Sequence, residues 1–283
     1  MVTESKHRLN GFDDRELVVD GARLRYAVSG DGPPIVLVHG LGGTVENWHA
    51  IAPALAQTHR VLVPDLPGHG RSEALPEARH LDALADVVFA LAETEGLERA
   101  VWIGHSLGGT VALRAAVRRP DAVRGVVLAA AAGVGSSTRL GRVTVTLMGL
   151  VEPGKMIAPH RRAWANSTLG RRVAFGWWGV GDAVALEPAM AEAFFTGPAF
   201  HTKTRQAGRA LLATDPLDGL DRIACPVLCL WGARDKWVTL DDGIEYARRL
   251  GAPLRTIAGC GHLLIGERPD ACLAAIEEFL SSL

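Results

Sequence analysis

Little in this chain points to metals, membranes or nucleic acids. It has only four cysteines, Cys225, Cys229, Cys260 and Cys272, and they show no metal-ligand spacing. Cys225 and Cys229 read as part of one apolar strand, whose period of two puts them on the same face yet too far apart to bridge. All four are expected as small buried apolar residues in a reducing compartment. The formal net charge is −1 and no long block of one sign occurs, which argues against a nucleic-acid partner. No stretch reaches the ~18 apolar residues of a membrane span, and the opening Met1 to Lys6 lacks the apolar run of a secretion signal. The expectation is a cytoplasmic protein with no stable membrane association. Internal repeats and low-complexity tracts are also missing.

What is present suits one large α/β domain, or such a domain with an insertion: 283 residues, of which 48% are hydrophobic. Two alternating runs, Leu17 to Asp20 and Arg23 to Ser29, flank Asp20-Gly21 as a hairpin. Ile35 to Val38 is an uninterrupted apolar run, typical of a strand buried on both faces. A helical run from about Glu46 to Ala56 follows. Further strands are expected at Arg60 to Val63, Ala100 to Ile103, Val123 to Ala130, Pro226 to Trp231 and Leu254 to Ile257. Helices are expected at about Leu81 to Thr94, after Ser106, at Asp241 to Leu250 and at Pro269 to Leu280. Strands alternating with helices give right-handed crossovers and a mostly parallel sheet with helices on both faces. Ligands of such sheets sit beyond the carboxyl ends of the strands.

The alternation stops between residues 133 and 219, where only helical stretches broken by Gly and Pro occur. The sequence therefore divides into a core, residues 1–132 and 220–283, and an inserted helical cap, residues 133–219. The cap segment carries 10 Lys/Arg against 6 Asp/Glu and is rich in aromatics, including Trp164, Trp177, Trp178, Phe194 and Phe195. A lid of this kind fits over a site at the carboxyl edge. Most of its aromatics must hold its own helices together; two or three, with Trp164, Trp177 and Trp178 singled out, are expected to face a ligand.

The stretch Ala100 to Arg118 carries the chemistry. An apolar strand runs into Gly104-His105-Ser106-Leu107-Gly108-Gly109 and then directly into a helix. A serine on so sharp a turn takes a strained conformation, and glycines at 104 and 108 let strand and helix approach. Ser106 needs a base to take its proton, and the base needs an acceptor to fix its tautomer. Asp235 ends one later strand and His262 follows the next, in the order that a triad built on such a turn requires. Of the competitors, His39 reads as a brace for its loop and His105 as pointing elsewhere. Asp218 and Asp221 lie at the wrong strand end, and Asp241 and Asp242 read as helix caps. The backbone N–H groups of Leu41 and Leu107 are the candidate oxyanion donors, with Gly40, Gly42 and Gly43 letting the loop come close.

Five motifs in order, His39 to Gly43, Asp65 to Ser72, Gly104 to Gly109, Gly232 to Asp235 and Gly261-His262, make the chain resemble the α/β-hydrolase superfamily over nearly its whole length. The resemblance implies an eight-stranded sheet with one antiparallel strand near the start and a cap between strands six and seven. His105 and Leu41 are similar to residues of esterases and lipases rather than of the carbon–carbon bond hydrolases of aromatic breakdown. The expected function is cofactor-free, metal-free hydrolysis of small-to-medium apolar carboxylic esters through an acyl-enzyme on Ser106. Two alternatives stand beside it. One is carbon–carbon bond hydrolysis of diketone-like products, with Arg161, Arg162, Arg171 or Arg172 holding a substrate carboxylate. The other is a ligand receptor that reuses the fold. The sequence leaves the oligomeric state open.

Overall fold

A computed structural model of the chain describes residues 8–75, 80–134, 158–176, 179–200 and 204–283. Asp13–Val19 (β1) and Ala22–Ser29 (β2) form an antiparallel hairpin. Its two linking residues, Asp20 and Gly21, have φ of 50° and 77°, the paired positive values that match strand twist in a two-residue turn. Pro34–Val38 (β3), Arg60–Pro64 (β4), Ala100–His105 (β5), Val123–Ala129 (β6), Val227–Gly232 (β7) and Leu254–Ile257 (β8) complete one sheet. Its order is β1-β2-β4-β3-β5-β6-β7-β8, with β2 antiparallel to both neighbours and β3 to β8 mutually parallel.

The apolar runs explain the layering. β5 and β7 are buried at every residue, and β3 at all but its first, as helices on both faces demand. Ile35 pairs with Val101 and Val38 with Gly104, so β3 and β5 lie side by side at the sheet centre. From β3 the chain crosses to β4 on one side and then back to β5 on the other. The crevice beyond the ends of β3 and β5 is therefore the topological switch point of the sheet.

Three local expectations need correction. The helix foreseen at 46–56 is two short pieces, a tight turn of helix at Val45–Trp48 and a helical turn at Ala52–Leu55. Pro53 lacks an N–H and starts the second piece afresh. Cys225 lies ahead of β7 rather than within it, half-buried, while Cys229 is buried in the strand. Thr239, not Asp241 or Asp242, occupies the cap position of the helix Leu240–Leu250; the two aspartates sit in its first turn, where carboxylates favour the helix dipole.

Between β6 and β7 the described residues hold the helices Arg161–Asn166, Thr168–Phe175, Pro188–Phe200 and Thr204–Ala213, and no strand. They enclose an apolar cluster of their own, with Ala165, Phe175, Val180, Leu186, Met190 and Phe195, into which Leu263 inserts from the loop after β8. Asn47 donates to the Ala193 carbonyl at 3.2 Å and Gln206 to that of Leu75 at 2.8 Å, tying these helices to loops beyond the carboxyl ends of β3 and β4. Among the described residues no helix is long and apolar enough to cross a membrane.

The tightest packing is between β5, the helix Leu107–Arg118 and β3. A Cβ on Gly104 would lie 2.1 Å from the Gly108 carbonyl oxygen, and one on Gly108 2.1 Å from that of Val38. Both obstacles are backbone, so neither can be relieved by a rotamer change. Gly104→Ala should therefore destabilise the chain by about 3 kcal/mol, as overpacking against immovable atoms does. Urea unfolding of the variant checks this, and a loss below about 1 kcal/mol would show that β5 and its helix can part.

Candidate active site

Ser106 follows the last residue of β5 and precedes the helix Leu107–Arg118. Its φ of 53° and ψ of −118° lie outside the common regions for a residue with a Cβ, a strain on the order of 1–3 kcal/mol. Backbone bonds hold it there. The Ser106 N–H donates to Ala129 at 2.9 Å, and its carbonyl accepts from Gly109 at 3.0 Å and Ala132 at 3.0 Å. The Ala132 carbonyl in turn accepts from the buried Tyr246 hydroxyl at 2.8 Å, so the segment just after β6 is pinned to the helix Leu240–Leu250 behind the turn.

The structure brings Ser106, His262 and Asp235 together. His262 Nε2 lies 3.0 Å from Ser106 Oγ, and Nδ1 lies 2.8 Å from Asp235 Oδ2. A carboxylate only accepts, so the Nδ1–H donates to Asp235 and the bare Nε2 is left to accept from the hydroxyl. The other Asp235 oxygen accepts the N–H groups of Trp237 at 2.8 Å and Val238 at 2.9 Å, which fixes the carboxylate plane. All three residues are buried.

Leu41 follows Gly40 in the loop after β3, and its side chain is 42% exposed. A Cβ on Gly40 would sit 3.1 Å from Ser106 Cβ, so this backbone runs directly against the serine. Among the described residues neither the N–H of Leu41 nor that of Leu107 has an acceptor. For Leu107 this follows from its place as first residue of a helix. His39 braces the same loop. Its Nδ1–H donates to the Gly40 carbonyl at 2.8 Å, and its Nε2 accepts from the Leu66 N–H at 3.0 Å.

His105 does not reach the hydroxyl; its Nε2–H donates to the main-chain carbonyl of His262 at 2.8 Å, with the two rings 5.1 Å apart. Complete burial, and then the neighbouring His262, push its pKa down to about 3. The aromatic ring brought to His105 is Phe194, edge-on at 6.5 Å, from the helix Pro188–Phe200. Trp164 instead packs, half-buried, against the apolar cluster of the inserted helices. Trp177 and Trp178 lie outside the described residues.

Two charged residues escaped the sequence reading. Arg25, on β2, is buried and bonded to Asp14 at 2.5 Å and Asp65 at 3.2 Å. Asp65 also accepts from the Val45 N–H at 2.9 Å and the Arg71 N–H at 3.0 Å, which binds the loop after β4 to the loop after β3. Burial raises the Asp65 pKa and Arg25 opposes the rise. The second residue is Glu267, which accepts from the Gly261 N–H at 2.9 Å beside His262. A charged residue in a strand that otherwise reads as a hairpin edge was the available signal for Arg25; for Glu267 there was none but its nearness to His262.

Of the four arginines considered for a substrate carboxylate, Arg161 lies 3.9 Å from Glu192 and Arg172 is exposed. Arg171 is buried and donates to the carbonyls of Ala165 at 2.6 Å and Ala183 at 3.3 Å, and Arg162 meets Glu192 at 3.0 Å. Among the described residues no group of three or more His, Cys, Asp or Glu side chains could hold a metal ion.

A parallel sheet that presents a strained serine against a buried imidazole and carboxylate at its switch point is the architecture of an α/β hydrolase. Residues 33–269 match the family model described as "alpha/beta hydrolase fold", and the chain belongs to that family. It is 31% identical to a pimeloyl-[acyl-carrier protein] methyl ester esterase of Vibrio atlanticus, over 82% of this chain and 86% of that protein. It is 37% identical to a 2-hydroxymuconate semialdehyde hydrolase of a Pseudomonas species, over 42% of this chain and 44% of the other. Its structure is similar to that of an enol-lactonase from Burkholderia xenovorans, with a TM-score of 0.73 and 26% identity, covering 94% of this chain and all of that one.

Because His105 is neutral when folded and free to protonate when unfolded, its contribution to stability is whole above about pH 6.5 and shrinks as pH falls toward 3. Between pH 6 and pH 4 the wild-type chain should lose about 1.4 kcal/mol per pH unit more than a His105→Asn variant. Urea midpoints measured across that range test the difference. Parallel curves would mean that His105 titrates normally.

Proposed function

We propose that the protein is a serine hydrolase that cleaves carboxylic esters of small-to-medium apolar acids through an acyl-enzyme. The reading rests on one observation, the continuous relay from Ser106 Oγ through His262 to Asp235 at 3.0 and 2.8 Å. The Ser106 oxygen attacks the ester carbonyl carbon as its proton passes to His262 Nε2. Negative charge develops on the carbonyl oxygen, where the free N–H groups of Leu41 and Leu107 receive it, aided by the helix N-terminus behind Leu107. Collapse breaks the bond to the alcohol, which leaves with the proton from Nε2. Water then loses a proton to Nε2 and attacks the acyl carbon, and Ser106 regains its proton as the acid departs.

Asp235 stays ionised throughout and stabilises the imidazolium. His39, Gly40, Gly42 and His105 shape the loops that hold these groups, and residues 133–219 act as a cap. The likeness to a methyl ester esterase supports an ester substrate, and the Phe194 ring beside His105 supports an apolar acyl group. In this reading Phe194, whose ring lies against His105, borders the acyl site, and Trp164 contributes through its packing on the cluster of the inserted helices.

Carbon–carbon bond hydrolysis is the second reading, favoured by the partial likeness to the 2-hydroxymuconate semialdehyde hydrolase. It would need a cation for the substrate carboxylate. Arg171 and Arg162 are engaged with carbonyls and Glu192, which leaves Arg161 and the exposed Arg172 as its candidates.

A fluorophosphonate should label wild-type protein at Ser106 and leave Ser106→Ala unlabelled. On p-nitrophenyl esters of graded length, Ser106→Ala should lose at least about a thousandfold in kcat, and Asp235→Asn about as much through the wrong imidazole tautomer. Turnover of a dienoate ring-fission product with none of any ester would shift the assignment to the second reading. Tight binding unchanged in Ser106→Ala, with no turnover at all, would make the protein a receptor.

A further inference from the structure

His262 sits in a short loop, and nearly every backbone polar group around it is tied to a different element. The Cys260 carbonyl accepts from the Arg234 N–H at 2.7 Å, the His262 carbonyl accepts from His105 at 2.8 Å, and the Leu263 N–H donates to Gly179 at 2.9 Å. The remaining tie is a buried carboxylate. Glu267 Oε1 accepts the Gly261 N–H at 2.9 Å, while Oε2 accepts the same N–H at 3.1 Å and that of Gly181 at 2.7 Å. Gly261 adjoins His262, whereas Gly181 belongs to the segment between β6 and β7. One side chain thus joins the loop that carries the imidazole to the insertion.

The two backbones touch without intervening side chains. A Cβ on Gly181 would lie 2.3 Å from the Gly259 carbonyl oxygen, and one on Gly261 2.6 Å from Gly181 N. Nothing but a carboxylate could accept at both places from this position. An amide of the same shape must turn its NH2 toward the Gly261 N–H whichever way it is flipped, because both oxygens bond to that donor. Burial raises the Glu267 pKa, but the N–H groups of Gly181, Gly261 and Asp182 favour the charged acceptor.

We infer that Glu267 is a positioning residue, which sets the reach of His262 toward Ser106 by bolting the loop 259–262 to the segment 179–182 of the insertion. The inference rests on the reading of His262 as the general base. It implies that the insertion governs the imidazole through this bolt, independently of any contact it makes with the acyl group. A misplacement of 1 Å at a reacting group costs on the order of a hundredfold in rate.

The test uses Glu267→Gln and Gly181→Ala, each with p-nitrophenyl butyrate and with a fluorophosphonate. Each variant should lower kcat and the labelling rate of Ser106 by about tenfold to a hundredfold, with KM within about twofold and a native near-UV spectrum. The double variant should be no slower than the slower single, since both break the same tie. A folded single variant with kcat within about twofold of wild type overturns the inference, as does a double variant whose losses multiply. If one variant does not fold, the other decides; loss of fold in both makes the tie purely structural and overturns it as well. Wild-type protein that labels but cleaves no ester sinks the ester assignment alone, and the labelling rates still test Glu267. Wild-type protein that does neither overturns both.

Discussion

A serine with a backbone φ of 53° persists only where its surroundings leave it no other choice, and most of this fold can be traced to that constraint. β3, β5 and the helix Leu107–Arg118 come within backbone contact through Gly104 and Gly108. The peptide groups on either side of Ser106 are bonded to β6 and to the helix that follows. The strained turn is thus over-determined by neighbours whose own packing is apolar and continuous. Its product is a hydroxyl held at the crevice beyond β3 and β5, in line with a helix N-terminus, before any partner side chain is considered.

The partners arrive from distant parts of the chain by the same logic. Asp235 and His262 each follow a parallel strand, so both emerge at the sheet edge where Ser106 stands. Their protons are placed by simple complementarity. Asp235 can only accept, so His262 must donate from Nδ1, and the free Nε2 faces the hydroxyl. His39 and His105 each have their donor nitrogen fixed in the same way, by a backbone carbonyl. Four imidazole or hydroxyl groups in a small volume therefore carry distinct and non-interchangeable roles.

Much of the sheet was legible because buried parallel strands are written as unbroken apolar runs, as at Ile35 to Val38 and Val227 to Trp231. Ser106, Asp235 and His262 were legible because glycines and strand ends punctuate them. Pro53, which starts a second helical piece, is a local effect that the apolar period hid; the rest of what could not be read depends on contact across long sequence separations. Arg25 meeting Asp65, and Glu267 meeting Gly181, need the fold to be known before the residues have any reason to be singled out. Among the aromatics between β6 and β7, Trp164 and Phe194 look alike in sequence; both pack against the cluster of those helices, and the fold alone brings the Phe194 ring to His105.

The close main-chain contact between Gly181 and the loop before His262 bears on how such a molecule could change its preferences. Where Gly181 meets Gly259 and Gly261 there is no room for a Cβ, so a side chain added there would shift the polypeptide itself and with it the imidazole. The helical face of Phe194, further out, is freer: a residue there can be exchanged while Ser106 and His262 stay still.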